Sequence, residues 1–210
     1  MGSPSSTARA ASDPSLAVLE SESELATAGG VFRFLRYESA EGEEAFAVVM
    51  GDLSGSDPAF VRVHSECLTG EVFSSLKCDC RDQLEQALAL IAGRGRGAVV
   101  YLRQEGRGIG LGNKIRAYAL QEQGADTVDA NLRLGFAADA RQYDVATEML
   151  ADLGVASVAV LTNNPAKVDA LRADGVTVTR RVPMNVVPNP HNREYLDTKR
   201  ARMGHILKPL

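Results

Sequence analysis

The sequence predicts an α/β protein, in which a mixed sheet is flanked by helices and an antiparallel β section lies near the N-terminus. Short apolar runs separated by turn-rich stretches fill the first third of the chain. From Asp82 onwards the apolar period changes to that of a helix, and helices then alternate with buried strands. The hydrophobic content of 45% and charged content of 24% are ordinary for a folded globular protein.

The first residues differ from the rest of the chain in composition. Residues 1–23 are rich in Ser, Ala and Pro and show no periodicity, which predicts a flexible tail. Neither an internal repeat nor a clear linker follows, so residues 24–210 are expected to form a single domain.

The antiparallel section is expected from three apolar runs, at Val31–Leu35, Phe46–Met50 and Val61–His64. Turn-forming residues at 41–43 and 51–58 separate the runs. This spacing is typical of short neighbouring strands.

The next elements are expected to be two helices around a strand. Leu84, Leu88 and Ile91 share one helical face, and residues 98–102 are continuously apolar. A second helix, after the glycine-rich residues 106–112, would carry Ile115, Tyr118 and Ala119 on its apolar face.

The last third continues the alternation. A helix over Tyr143–Leu153 with Ala146, Met149 and Leu150 inward is followed by a strand at Val158–Leu161. A helix near Lys167–Ala173 and a strand at Val176–Val178 come next. The polar residues 189–210 are expected to lie along the surface.

The charge balance narrows the choice of partners. A net charge of −4 and a pI near 5.5 argue against a general nucleic-acid binder. No apolar stretch has the length of a membrane span, and no signal-peptide core is seen, so a cytoplasmic location is expected. Any polyanionic ligand must be bound by a local cluster of cations.

The three cysteines have the spacing C-x10-C-x-C, at Cys67, Cys78 and Cys80. Three thiolates with a fourth position open are typical of catalytic zinc sites, whereas structural sites have four protein ligands. The alternatives are three buried small side chains, or a structural site completed by His64. His64 and Glu66 are also placed to bond a metal-bound water or a substrate edge, and their alternative is a structural role.

A glycine-rich segment from Arg103 to Lys114 follows a strand and opens a helix, the position in which backbone N–H groups bind phosphate. It matches neither the dinucleotide-binding nor the P-loop spacing. The cations Arg103, Arg107, Lys114 and Arg116 favour a polyphosphate site here.

Two further polar groups stand before helices. Asp139 and Arg141 either form a dyad or are a helix cap and a solvated cation. Thr162, Asn163, Asn164 and Lys167 follow a parallel-type strand, where α/β sheets bind ligands, although a capped turn has the same sequence signature.

Several long motifs resemble one enzyme family, GTP cyclohydrolase II, over about residues 28–207. The resembling runs are RVHSECLTG at 62–70, KCDC at 77–80, RQEGR at 103–107, NKIRAY at 113–118, LTNNP at 161–165, YLDTK at 195–199 and MGH at 203–205. Two departures are Gly112, where the family has a larger apolar residue, and the loosely matching stretch before Val61.

The resemblance implies a riboflavin-synthesis enzyme that converts GTP to formate, pyrophosphate and a diaminopyrimidinone ribosylamino phosphate. It implies zinc on Cys67, Cys78 and Cys80, Mg²⁺ at the triphosphate, and a homodimer. Asp139 would be the general base, Arg141 the nucleophile at the α-phosphate, and Tyr118 a participant at the purine. The implied substrate contacts are Arg62, Val63, His64, Ser65, Glu66, Gln83, Glu105, Gly106, Arg107, Thr127, Thr162 and Lys167.

Two other functions remain open at this point. The first is a specialised paralogue that opens the ring but stops at the formamidopyrimidine. The second is a non-catalytic nucleotide-binding regulator whose zinc is structural.

Overall fold

The computed structural model describes residues 17–39 and 42–207. Its strands are β1 Ala17–Thr27, β2 Gly30–Ser39, β3 Glu44–Met50, β4 Ala59–Ser65, β5 Gly97–Leu102, β6 Val158–Leu161 and β7 Val178–Val182. They form one sheet in the order β1-β2-β3-β5-β4-β6-β7.

The helices are α1 Leu68–Glu71, α2 Cys80–Arg94, α3 Gly110–Glu122, α4 Thr127–Arg133, α5 Asp144–Asp152, α6 Pro165–Ala173 and α7 Arg193–Arg202. A 3₁₀ turn covers Glu105–Arg107. Within the described residues, none of these helices combines the length and the apolar character needed to cross a membrane.

Strand pairing changes from antiparallel to parallel at β5, and this confirms the prediction of a mixed α/β sheet. In the order of the sheet, β1, β2, β3 and β5 pair antiparallel, whereas β5, β4, β6 and β7 pair parallel. The prediction that Val61–His64 belongs to the antiparallel section is wrong. The reason is the connection: α2 crosses over between β4 and β5, and such a crossover joins parallel strands.

The predicted tail overlaps the first strand. Residues 17–23 lie in β1, which pairs with β2 through a turn at residues 28–29, so the boundary at residue 23 is wrong; residues 1–16 lie outside the described residues. The strand is exposed apart from Ala17, and Glu22 accepts a 2.9 Å hydrogen bond from Arg33 on β2. Cross-strand pairing therefore makes this polar segment a strand in the absence of burial.

Two apolar layers cover the sheet. Ala146, Met149 and Leu150 of α5 pack on one face together with α6, as predicted for this helix. On the other face Ala87 and Ile91 of α2 pack against the sheet, with Leu84 and Leu88 partly buried beside them. The central strands are covered on both faces, so the loops at their carboxyl ends rest on a rigid support.

The predicted apolar face of α3 is wrong. On α3, Ile115 is 51% exposed and Ala119 is exposed, whereas Lys114 and Ala117 are buried. Residues 189–207 pack along the surface as predicted, and they contain α7, which also buries Leu196, Thr198 and Lys199. In both helices the buried face includes a lysine, because it packs against a polar cleft.

Candidate active site

A cleft lies at the carboxyl ends of β4, β5 and β6, between α3 and α7. This is the edge of a parallel sheet at which α/β proteins bind ligands. Its lining includes all three cysteines and seven basic side chains, which are Arg62, Lys77, Arg107, Lys114, Arg141, Lys167 and Lys199. A cleft of this composition suits a polyanion, although the whole chain is acidic.

The three cysteine sulfurs lie within 4.8 Å of one another, so the cysteines are not separate buried side chains. The Sγ atoms of Cys67 and Cys78 are 3.7 Å apart. A Cβ placed on Gly70 would lie 2.8 Å from Cys78 Sγ and 3.3 Å from Cys67 Sγ, so only glycine leaves room for this approach. Three soft donors and this cradle fit zinc.

His64, the candidate fourth ligand of a structural site, is bonded elsewhere. Its Nε2 lies 2.7 Å from Glu71 Oε1, and Tyr101 donates to the other oxygen of Glu71 at 2.7 Å. Burial lowers the pKa of His64 to about 4, so the ring is neutral. With Arg62 Nε donating to its Nδ1 at 3.4 Å, the proton of the imidazole lies on Nε2.

The cations of the glycine-rich segment do not converge as predicted. Arg103 and Arg116 are exposed: Arg103 pairs with Glu44 at 3.0 Å, and Arg116 bonds Asn113. Lys114 is buried in an ion pair with Glu105 at 2.7 Å. Of the four, Arg107 and Lys114 line the cleft.

Arg107 carries a buried hydrogen-bond donor that has no partner among the described residues. Its Nη1 is buried without one, and its guanidinium lies 5.8 Å from the ring centroid of Tyr195 on α7. Its backbone has φ +63°, a left-handed conformation that costs free energy and is often found at functional sites. A buried, unpaired guanidinium N–H is an anion-binding group.

Lys167 and Arg62 are buried cations that line the cleft. Lys167 Nζ donates to the carbonyl of Val63 at 2.7 Å, and Arg62 donates to the carbonyl of Leu161 at 2.9 Å and to Gln83. Burial, together with the charges of Arg62 and Arg141, lowers the pKa of Lys167 well below its ordinary value. The hydrogen bonds given above join these cations to neutral carbonyl and amide oxygens, so an anionic ligand would stabilise them.

Asp139 and Arg141 form a dyad and not a helix cap. Arg141 Nε donates to Asp139 Oδ1 at 2.8 Å, and α5 begins only at Asp144. The backbone of the dyad is joined to the glycine-rich loop by a 3.1 Å bond from Ala140 N to Arg107 O. Burial raises the pKa of Asp139, but its bonds with Arg141 outweigh burial and hold the pKa below the ordinary value.

Tyr118 lies beside the cysteines. Its hydroxyl is 3.3 Å from Thr69 Oγ1, and the ammonium of Lys77 stands 4.9 Å from the centre of its ring. The alternative of a core tyrosine sharing a face with Ile115 and Ala119 is therefore wrong, since those two are exposed.

Most of the residues expected in the site line the cleft. Besides Arg103 and Arg116, the exceptions are Val63, whose side chain is in the core, and Asp139, which contacts the cleft through Arg141. Sequence reasoning assigned no role to Tyr195, Lys199, Met203 and His205, which also line the cleft. The signal for them was present in the runs YLDTK and MGH, which share the family's pattern.

Lys199 joins the C-terminal helix to the cysteine loop. Its Nζ donates to Asp79 Oδ1 at 2.9 Å, and Asp79, only 1% exposed, stands between Cys78 and Cys80. Burial opposes the charge of Lys199, but Asp79 outweighs it and raises the pKa of the ammonium.

Replacing Lys199 with Met is expected to destabilise the protein by about 3–5 kcal/mol, because the buried carboxylate of Asp79 is left unpaired. Urea unfolding measures the loss. Arg200→Met is the control: the exposed pair of Arg200 with Asp197 should contribute less than about 1 kcal/mol. Equal stabilities of the two variants would contradict the prediction.

Fold and site together define a class of protein: an α/β protein with a cleft that is lined by basic side chains and by a three-cysteine cluster that could hold a metal ion. Comparison with known proteins makes this specific. The profile of the GTP cyclohydrolase II family matches residues 18–183. The chain belongs to this family and is an enzyme, which confirms the resemblance and excludes the non-catalytic regulator.

Among curated proteins, GTP cyclohydrolase-2 of Histophilus somni is 52% identical over 190 residues, which are 90% of this chain and 88% of that protein. GTP cyclohydrolase-2 of Cronobacter sakazakii is 54% identical over 187 residues, covering 89% and 95%. A crystal structure of a two-domain 3,4-dihydroxy-2-butanone 4-phosphate synthase from A. baumannii aligns with a TM-score of 0.47 and 18% identity, covering 81% of this chain and 41% of the other.

Proposed function

We propose that this enzyme hydrolyses GTP with opening of the imidazole ring, as the first step of riboflavin biosynthesis. The products would be formate, pyrophosphate and 2,5-diamino-6-(5-phosphoribosylamino)pyrimidin-4(3H)-one. The observation that carries the proposal is the presence, in one cleft, of a three-cysteine cluster and the guanidinium of Arg107, whose Nη1 has no partner among the described residues. The cysteine cluster suits hydrolytic opening of the base, and the guanidinium suits a leaving phosphate.

Cys67, Cys78 and Cys80 would hold zinc. When bound there, zinc supplies a water of lowered pKa through its open fourth position. Tyr118 and Thr69 lie beside the cysteines and would orient the purine end of the substrate. Mg²⁺ is expected with GTP, bound mainly by the substrate phosphates.

The basic side chains of the cleft would bind the triphosphate. Arg107, Arg62 and Lys167 line the cleft and supply positive charge. Charge-assisted bonds of this kind stabilise the pyrophosphate as it leaves. Ser65, Glu66, Gln83, Thr127 and Thr162 would complete the substrate contacts, with Val63 acting through its backbone.

Asp139 and Arg141 are proposed to act at the α-phosphate. The family resemblance gives Asp139 the role of general base and Arg141 that of nucleophile. The ion pair holds the guanidinium toward the cleft, where it also stabilises charge on the phosphate.

Tyr118 is expected to decide how far the reaction proceeds. Formamide hydrolysis requires a second water and a proton transfer, which a phenol assists by hydrogen bonding. Tyr118→Phe should therefore still consume GTP and release pyrophosphate, but accumulate the formylated pyrimidine. Chromatography of the products measures this, with Tyr37→Phe, on a core tyrosine outside the cleft, as the control. An unchanged formate yield from Tyr118→Phe would contradict the assignment.

Product analysis of the purified protein with GTP and Mg²⁺ tests the proposed function. One formate and one pyrophosphate per GTP are expected. A formamidopyrimidine as the final product would favour the specialised paralogue. Failure to consume GTP in protein loaded with zinc would overturn the proposal.

The assembly follows from the family resemblance, and the location and the excluded partners follow from the charge and the apolar pattern of the sequence. We propose a homodimer in the cytoplasm that binds neither nucleic acid nor membrane. Sedimentation of the full chain measures the oligomer.

A further inference from the structure

Lys114 is a buried cation whose contacts do not suit a phosphate ligand. It lies on α3 and is 9% exposed. Its Nζ is 3.2 Å from Cys67 Sγ and 2.7 Å from Glu105 Oε1. Two of the three N–H groups of the ammonium are therefore used inside the protein.

Glu105 holds this lysine and is itself held by two backbone groups. Its Oε2 accepts from Leu68 N at 2.7 Å, and its Oε1 accepts from Gly106 N at 2.8 Å. One carboxylate thus joins the turn after Cys67 to the glycine-rich loop. The carboxylate is 8% exposed and bonded at both oxygens.

The pair fixes Cys67 from two sides. Lys114 donates to the sulfur of Cys67, while Glu105 accepts from the backbone N–H of Leu68, the next residue in the chain. The other two cysteines have no lysine at their sulfurs among the contacts of the described residues. Groups that hydrogen-bond a metal ligand set its orientation and tune its donation to the metal.

We propose that Lys114, held by Glu105, is a positioning residue of the metal centre and not a phosphate ligand. Its ammonium fixes the thiolate of Cys67, and Glu105 couples that thiolate to the loop that carries Arg107. The proposal rests on the proposed function, in that the cysteines must bind zinc.

Lys114→Met tests this, because it removes the donor and retains most of the apolar stem. Its zinc dissociation constant, measured by chelator competition, should rise by about 10–100-fold. In the cobalt-substituted protein, the sulfur-to-metal charge-transfer band should shift as the Cys67 thiolate loses its bond. Glu105→Gln, which releases the lysine, should weaken zinc binding in the same direction.

Lys77→Met is the matched control. Lys77 also lines the cleft and faces the ring of Tyr118, but its ammonium bonds Glu122 and no sulfur. It should leave the zinc dissociation constant and the cobalt spectrum unchanged. Circular dichroism checks the fold, and Lys114→Gln replaces Lys114→Met if the latter does not fold.

The outcomes separate this inference from the proposed function. A wild-type protein that binds no zinc would overturn both. If the wild type binds zinc and Lys114→Met binds it equally well with an unshifted cobalt band, the inference alone is wrong. The inference is also wrong if Lys114→Met only raises KM for GTP, which is the behaviour of a phosphate ligand.

Discussion

Cys78→Ser is expected to yield a folded protein that holds no zinc and does not open the purine ring. A serine hydroxyl stays protonated near neutral pH, so it cannot replace a thiolate as the third ligand. The rate of formate release should fall by more than about 10³-fold, because free water has a pKa about 9 units above that of water in a catalytic zinc site.

Metal analysis and formate release are measured on the same preparation. Ser75→Ala is the matched control, since Ser75 lies in the same loop and is not among the three clustered donors. It should retain zinc and activity. Release of formate by Cys78→Ser at the wild-type rate would exclude the cysteine cluster from the chemistry.

Arg141→Ala is expected to stop pyrophosphate release while leaving the fold intact. The guanidinium lines the cleft and is fixed by Asp139, so it supplies positive charge where the leaving phosphate develops negative charge. Loss of one such group typically lowers kcat by about 10²–10³-fold. Asp139→Ala should have an effect in the same direction, because it frees the guanidinium to move.

A phosphate-release assay measures this rate in the presence of pyrophosphatase. Arg33→Ala provides the control, as Arg33 pairs with Glu22 on the β1–β2 hairpin, outside the cleft. Burial lowers the pKa of Arg141, but Asp139 outweighs burial and raises it, which favours a charge-stabilising role. Mass spectrometry of quenched reactions distinguishes this from attack by Arg141, which would leave a nucleotidyl group on the protein. Near-normal turnover in both dyad variants would remove the dyad from the mechanism.

The sequence predicted best where a pattern is local. The C-x10-C-x-C spacing predicted the cysteine cluster, and the apolar period of residues 143–153 predicted the buried face of α5. Both patterns depend on residues near one another in the chain, so they require no knowledge of the tertiary fold.

The sequence failed where the partner of a side chain is distant. Lys114 was assigned to phosphate because its neighbours are basic, but it turns toward Cys67, which lies 47 residues earlier. The strand β1 lacks an apolar alternation and is formed by its pairing with β2. The polar sequence of residues 189–210 predicted a surface segment but not the buried face of α7, because the lysine that α7 buries pairs with a carboxylate 120 residues away.

The bond between Lys199 and Asp79 also constrains when the protein can mature. Domains begin to fold from the N-terminus while the chain is still being made. The cysteine loop leaves the ribosome long before α7 does, so Asp79 has no cation to pair with during most of synthesis. The side of the cleft formed by α7 is therefore completed only once α7 has emerged. A chain truncated before α7 would carry all three cysteines in an incomplete site.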